Sequence, residues 1–190
     1  MVYNFQLLAL LGEDGVSAYG VMMYVCFFFV AIFVGYSIGS SPIISYHYGA
    51  ENRGELQNMF RKSGLLMFLL GIAMSLSAIA LAKPLAKLFV GYDEALYNLT
   101  WQGFRLYSLA FLFTGLNIFA SSLFTALNNG TVSAAISFMR TLVFQIGAVL
   151  VLPALAGVTG LWLATFAAEG CALAVSLIFT LVNRKKYGYF

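Results

Sequence analysis

The chain has 190 residues, of which 62% are hydrophobic and only 9% charged, with a mean hydropathy of +0.90 and a formal net charge of +3. A water-soluble domain carries roughly 25% charged residues to solvate its surface, so this chain needs lipid as its solvent. The scattered positive charge contains no basic run long enough to follow a nucleic-acid backbone, and Cys26 and Cys171 sit singly in apolar stretches without metal-ligand or redox spacing.

A helix that crosses a bilayer needs about 20 mostly apolar residues. In chain order, 1–11 is only half long enough and carries neither the basic start nor the small-residue cleavage site of a signal peptide. It reads as the second half of a helix whose first half is absent. Full spans are expected over 18–48, 59–82, 100–128, 133–155 and 160–183. Pro42 removes a backbone donor and should bend its span, beside the close-approach pair Gly35 and Gly39. Gly49 ends that span, and Leu56, Met59 and Phe60 suit a short interfacial helix before the next.

Five alternating spans place the 49–62 connector, the 128–133 turn and the tail on one side. That side holds Arg53, Arg61, Lys62, Arg184, Lys185 and Lys186, against Lys83 and Lys87 opposite, so it is expected to be cytoplasmic, with the C-terminus. Tyr19, Tyr24, Tyr46, Tyr48, Tyr92, Tyr97, Trp101 and Trp162 lie near span ends, where amphipathic rings mark the lipid–water interface.

Polar groups are expensive in hydrocarbon, so their spacing is informative. Ser37, Ser41 and Ser45 share one helix face; Thr114, Asn117, Ser121, Thr125 and Asn128 share another. Ser133, Ser137 and Arg140 stripe the next span, and Thr165, Glu169, Ser176 and Thr180 the last. Each stripe reads either as close helix packing or as the wall of a wet cleft. Asn117 is bulkier than packing requires, which favours a cleft. Candidate cleft residues are Asn4, Gln6, Ser37, Ser41, Asn117 and Ser121, with Phe27, Phe28, Phe33 and Tyr36 as apolar walls.

Arg140 and Glu169 are the ionisable residues deepest within spans, about 10 Å and 21 Å from the expected cytoplasmic ends. Gln145, at about 18 Å, is the better level match for Glu169. Arg140 either stretches inward to pair or snorkels outward. Glu169 reads as a structural hydrogen-bonding group or as a proton or cation ligand. His47, Glu51 and Glu55 form the one interfacial cluster of the kind a membrane enzyme needs, but no second histidine or nucleophile accompanies them.

The segments LGEDGVSAYGVMMYV (11–25), GYSIGSSPIISYHYGAENRGEL (35–56), TALNNGTVSAAISFMR (125–140) and LPALAGVTGLWLATFAAE (152–169) together resemble the multidrug and toxic-compound extrusion (MATE) transporters. The resemblance is to their C-terminal lobe, from the end of helix seven through helix twelve, across nearly the whole chain. It implies an all-α polytopic lobe with its first helix truncated and the N-terminal lobe absent. It implies a non-enzymatic antiporter of a plasma membrane, of the bacterial inner-membrane kind. It implies that, in the complete transporter, a sodium or proton gradient would drive export of amphipathic, often cationic, organic compounds by alternating access. No cofactor is implied beyond the coupling ion; the partners are the bilayer, drug-like molecules and a second lobe, in cis or in trans. Some branches carry coupling carboxylates in helices seven and ten, where this chain has Asn4, Gln6 and Asn117 instead. No coupling acid of the family therefore transfers to this chain. A flippase relative acting on lipid-linked substrates and a non-transporting fragment remain the alternatives.

Overall fold

Long apolar stretches with few breakers propagate as helix, and the computed structural model, which describes all residues from Met1 to Phe190, is helical almost throughout. Helix α1 spans Val2–Gly49 and α2 Arg53–Val90. Helices α3 (Glu94–Tyr107) and α4 (Phe111–Ala126) flank a 3-10 turn at Ser108–Ala110. Helix α5 (Gly130–Phe138) passes through a π-helical stretch, Met139–Phe144, into α6 (Gln145–Tyr187). Four runs, Val2–Gly49, Arg53–Val90, Glu94–Ala126 and Gly130–Tyr187, are long and apolar enough to cross a membrane. The protein is an all-α, multi-span membrane bundle.

Two of these runs double back. At Gly12 (φ 67, ψ −153) and Gly157 (φ 56, ψ −137) the backbone enters a region that glycine alone adopts cheaply. The reversals are visible in what they bring together. The Tyr3 ring stacks on Tyr19 with centroids 4.5 Å apart, whereas one continuous helix would separate them by about 24 Å. Gln145 Nε2 donates to Thr165 Oγ1 at 3.0 Å, in place of about 30 Å along a straight helix.

Each end of the bundle is tied by its own contacts. At one, Ser45 Oγ donates to the Ala126 carbonyl at 2.9 Å, Asn129 Nδ2 to Tyr187 Oη at 2.9 Å, and Gln57 Nε2 to the Gly188 and Phe190 carbonyls at 3.2 and 2.7 Å. The α1–α2 connector, the α4–α5 turn and the C-terminal tail therefore meet there. At the other, Tyr3 Oη donates to the Leu161 carbonyl at 2.8 Å and the Lys83 ammonium stands 5.0 Å over the Trp101 ring.

The helices differ from the expected spans in places that have local causes. Asn52 caps α2 by accepting the Glu55 amide at 3.2 Å, and from there the helix runs unbroken to Val90. The interfacial helix expected at 56–60 is thus the first turns of α2, and the loop expected over 83–99 shrinks to a short turn. Helix α4 stops at Ala126, where Asn128 adopts a left-handed conformation (φ 58), so Asn128 leaves the polar stripe. Helix α1 continues through Pro42 with helical dihedrals. Tyr19 and Trp162, expected at the interface, lie inside the bundle: Tyr19 between the Tyr3 and Tyr107 rings, and Trp162 buried against the open face of Gly103. A ring near a span end can satisfy its polar tip inward as well as at the headgroups.

Candidate polar centre between the helices

The deepest polar group in the bundle is a single connected network. Glu169 on α6 receives Arg140 Nε at 2.9 and 3.0 Å on its two carboxylate oxygens and Nη2 at 2.7 Å on Oε1. This is the forked geometry in which guanidinium binds carboxylate most strongly. From α4, Asn117 Nδ2 donates to Glu169 Oε2 at 2.7 Å and to the Glu169 carbonyl at 2.9 Å. Ser176 Oγ closes the chain by donating to Asn117 Oδ1 at 3.0 Å. Asn117 is fully enclosed, and the side chains of Arg140 and Glu169 are 21% and 8% exposed. The pair is the only ion pair in the molecule.

The π-helical stretch builds this register. Residues five apart point about 140° away from each other on an α-helix but fall on one face where hydrogen bonds run i to i+5. Arg140 and Gln145 are five apart across Met139–Phe144, and both face the arm beyond Gly157. On that arm Thr165 and Glu169 are four apart on a regular helix face. Arg140 therefore meets Glu169, and Gln145 meets Thr165. The expected match of Gln145 to Glu169 does not form: the long Arg140 side chain stretches inward across the level difference to take Glu169, and Gln145 bonds Thr165 instead.

A cavity of about 420 Å³ opens beside the pair, lined by Tyr3, Tyr19, Tyr107, Gln145, Arg140 and Glu169 among others. A second groove, about 350 Å³, is walled by Ser37, Ser121, Ser122, Thr125, Ser137 and Arg140. Its hydroxyls are linked: Ser121 Oγ lies 2.9 Å from Ser133 Oγ and 2.8 Å from Ser137 Oγ, and Thr125 Oγ1 lies 2.8 Å from Ser133 Oγ. The buried Ser37 hydroxyl has no partner in this groove. Arg140 is the one side chain that lines both spaces.

Of the residues singled out in the sequence, Asn117, Arg140 and Glu169 come into direct contact, and Ser37 and Ser121 share the neighbouring groove. Ser41 is half-buried on the same helix face as Ser37. Asn4 lies elsewhere, in a crevice with Glu13 and Ser17 beside the Gly12 reversal, and Gln6 is half-buried on that first arm. Phe33 is wholly buried against Gly115, Tyr36 Oη lies 2.9 Å from Ser63 Oγ, and Phe27 and Phe28 are exposed on the outer face. Ser176 was legible only as a member of its stripe; its position seven residues after Glu169 was the available signal. Tyr3 and Tyr107 carry no sequence pattern that would have marked them. No three His, Cys, Asp or Glu side chains converge on a metal-sized site.

The fold is that of a multi-span membrane helical bundle with a buried ionic centre. The chain belongs to the MatE family, whose model matches residues 1–150, and members of that family are transporters rather than enzymes. The outward-facing conformation of a multidrug resistance MATE family transporter of the MOP superfamily superposes with a TM-score of 0.90 at 17% identity, over 100% of this chain and 43% of that one. The Vibrio cholerae MATE transporter VcmN in its bent form gives 0.87 at 20% identity, over 99% and 43%. A Pyrococcus furiosus MOP superfamily transporter, described as having a binding pocket of reverse polarity that suggests a different function, gives 0.89 at 18%, over 98% and 42%. The chain thus spans under half the length of these transporters. No curated protein sequence matches it.

Proposed function

We propose that this chain forms the C-terminal lobe, from the end of helix seven through helix twelve, of a cation-coupled multidrug antiporter. A second lobe, in cis or in trans, completes a cleft through which amphipathic, often cationic, compounds leave by alternating access. The carrying observation is the buried Arg140–Glu169–Asn117–Ser176 network beside a cavity of about 420 Å³. Glu169 Oε1 already accepts two bonds from Arg140, and Oε2 accepts one from Arg140 and one from Asn117. A sodium ion and a proton must each displace one of these donors to reach the carboxylate, so coupling by either requires Arg140 to move away from Glu169. Likeness to an outward-facing and an inward-facing transporter at TM-scores of 0.90 and 0.89 supports a lobe that moves as a rigid unit. The basic end, with Arg53, Arg61, Lys62 and the 184–186 run, would face the cytoplasm.

One observation favours a second reading. Arg140 is more exposed than Glu169 and alone faces both spaces, so the charge offered to a passenger is positive. A flippase of anionic lipid-linked substrates would use that polarity. The test is to co-express the chain with a MatE N-terminal lobe and follow ethidium retention in loaded cells. Drug export predicts retention that falls with an intact gradient and recovers when the gradient is collapsed. Retention unchanged by the completed protein rejects it. Ion-coupled efflux that survives Glu169→Gln rejects Glu169 as the coupling site.

A further inference from the structure

The cations of the protein are not evenly shared between its ends. The end where the tail, the α1–α2 connector and the α4–α5 turn meet carries Arg53, Arg61, Lys62, Arg184, Lys185 and Lys186 against Glu51 and Glu55. None of these groups forms an ion pair, since the sole pair of the molecule is Arg140 with Glu169. A polar pocket of about 350 Å³ opens among them, lined by His47 at the end of α1, Glu51 in the connector, Arg53 at the start of α2, and Lys186 and Tyr187 at the end of α6. A second pocket of about 370 Å³ shares Arg53 and adds Arg184 and Lys185, with no carboxylate side chain in its wall.

The arrangement is held by packing and backbone bonds rather than by counter-ions. The connector is pinned by the Ala50, Glu51 and Asn52 amides donating to the carbonyls of Tyr46, Tyr48 and His47 at 2.9, 3.1 and 2.9 Å. Glu51 takes a left-handed backbone (φ 54) within it. The Arg53 side chain crosses Gly188 so closely that a methyl group there would lie 3.3 Å from its Cδ, and Gly188 is itself left-handed (φ 70). The Lys186 ammonium stands 5.0 Å over the Tyr187 ring. His47 lines the same pocket, but its Nδ1 atom is turned away into the protein, sealed from solvent. The Arg53 and Lys186 cations around one space, with Arg184 and Lys185 beside it, ask for a compact anion with several acceptor oxygens. One carboxylate, Glu51, shares the wall and opposes it, leaving a positive balance.

We propose that this pocket binds the headgroup phosphate of an anionic phospholipid. Arg53 and Lys186 meet the phosphate oxygens, and Arg184 and Lys185 flank it. A lipid source is favoured over a soluble phosphate by the position of the pocket. It opens where three apolar helices leave the bilayer, beside the exposed ring of Tyr46, whose centroid lies 5.4 Å from that of the His47 ring. Basic pockets between membrane helices recognise acidic headgroups in this way. The proposal does not depend on what the bundle transports.

The full chain, purified in neutral detergent, is titrated with phosphatidylglycerol, with phosphatidylcholine and with inorganic phosphate, and bound lipid is counted by native mass spectrometry. Phosphatidylglycerol should be retained and phosphatidylcholine lost. Substituting Arg53→Gln with Lys186→Gln should weaken phosphatidylglycerol retention by about 30-fold, the loss expected for two headgroup-facing cations. The charge-matched pair Arg61→Gln with Lys62→Gln, at the same end but outside the pocket, should stay within about threefold of the parent. Equal retention of both lipids overturns the proposal, as does an equal loss in the two variants, which would make the effect diffuse charge. Saturation by millimolar inorganic phosphate with no lipid preference overturns the lipid assignment.

Discussion

Replacing both partners of the Arg140–Glu169 pair should cost less than the two single replacements added together. With Arg140→Met the Glu169 carboxylate keeps only the Asn117 donor in a site where its side chain is 8% exposed. Stripping one partner from a buried pair costs about 3–5 kcal/mol, and this enclosure places the variant near the lower half of that range. With Glu169→Gln the stranded group is the guanidinium, which is 21% exposed and can draw water from the adjoining cavity. The new amide presents either its oxygen or its nitrogen to Asn117 Nδ2. Facing Arg140 with the oxygen forces two donors together unless Asn117 turns over, and that turn forfeits its 2.9 Å bond to the Glu169 carbonyl. A cost of about 2 kcal/mol follows from one lost buried bond and the lost charge assistance. In the double variant no charge remains, and the amide introduced at position 169 can pair with a reoriented Asn117. The double should therefore fall short of the summed singles by about 2–3 kcal/mol. Reversible unfolding in dodecyl sulfate mixed micelles, followed by far-ultraviolet circular dichroism, measures all three variants. Additivity within about 0.5 kcal/mol would refute the pair as an energetic unit. Arg140→Met proving milder than Glu169→Gln would refute the assignment of Glu169 as the more enclosed partner.

Further outcomes can be read from single positions. Gly157→Ala should destabilise the bundle by about 1–3 kcal/mol in the same titration, because nothing lies within 4 Å of the new methyl and the penalty is backbone strain alone; Gly160→Ala, whose methyl would strike the Leu152 carbonyl, should fail differently, by steric displacement of the reversal. Burial pushes the Tyr189 phenol well above its ordinary range, with the neighbouring Tyr187 adding to the effect. A raised folded-state pKa favours the neutral form, so the Tyr189 contribution is fully present below about pH 10 and is lost as pH rises from there towards the folded value. Alkaline difference absorbance near the phenolate band should resolve a late-titrating tyrosine that disappears in Tyr189→Phe, and a phenolate fully formed near the ordinary value would refute the burial of that ring.

The polar stripes were readable because their spacing is a property of one helix at a time. Ser37, Asn117 and Glu169 announce their faces by i+4 recurrence, and the bilayer makes any such recurrence conspicuous. The reversals were readable too, since Gly12 and Gly157 interrupt apolar runs with residues that lose little in a left-handed turn. Partner choice between helices was not readable, because it depends on register, and register here rests on a π-helical stretch. Nothing in MRTLVF distinguishes a π turn from an α turn by propensity. The stretch exists because the ladder it creates, Arg140 to Glu169 and Gln145 to Thr165, satisfies four polar groups that regular geometry would leave on diverging faces. A local helical defect is retained where correcting it would strand a buried carboxylate. The same logic separates Asn117 from Asn4: both are amides within apolar segments, but Asn117 hydrogen-bonds a buried acid, whereas Asn4 and the Glu13 beside it are exposed. The sequence pattern identifies which residues lipid will not tolerate, and the π-helical stretch decides which of them find each other.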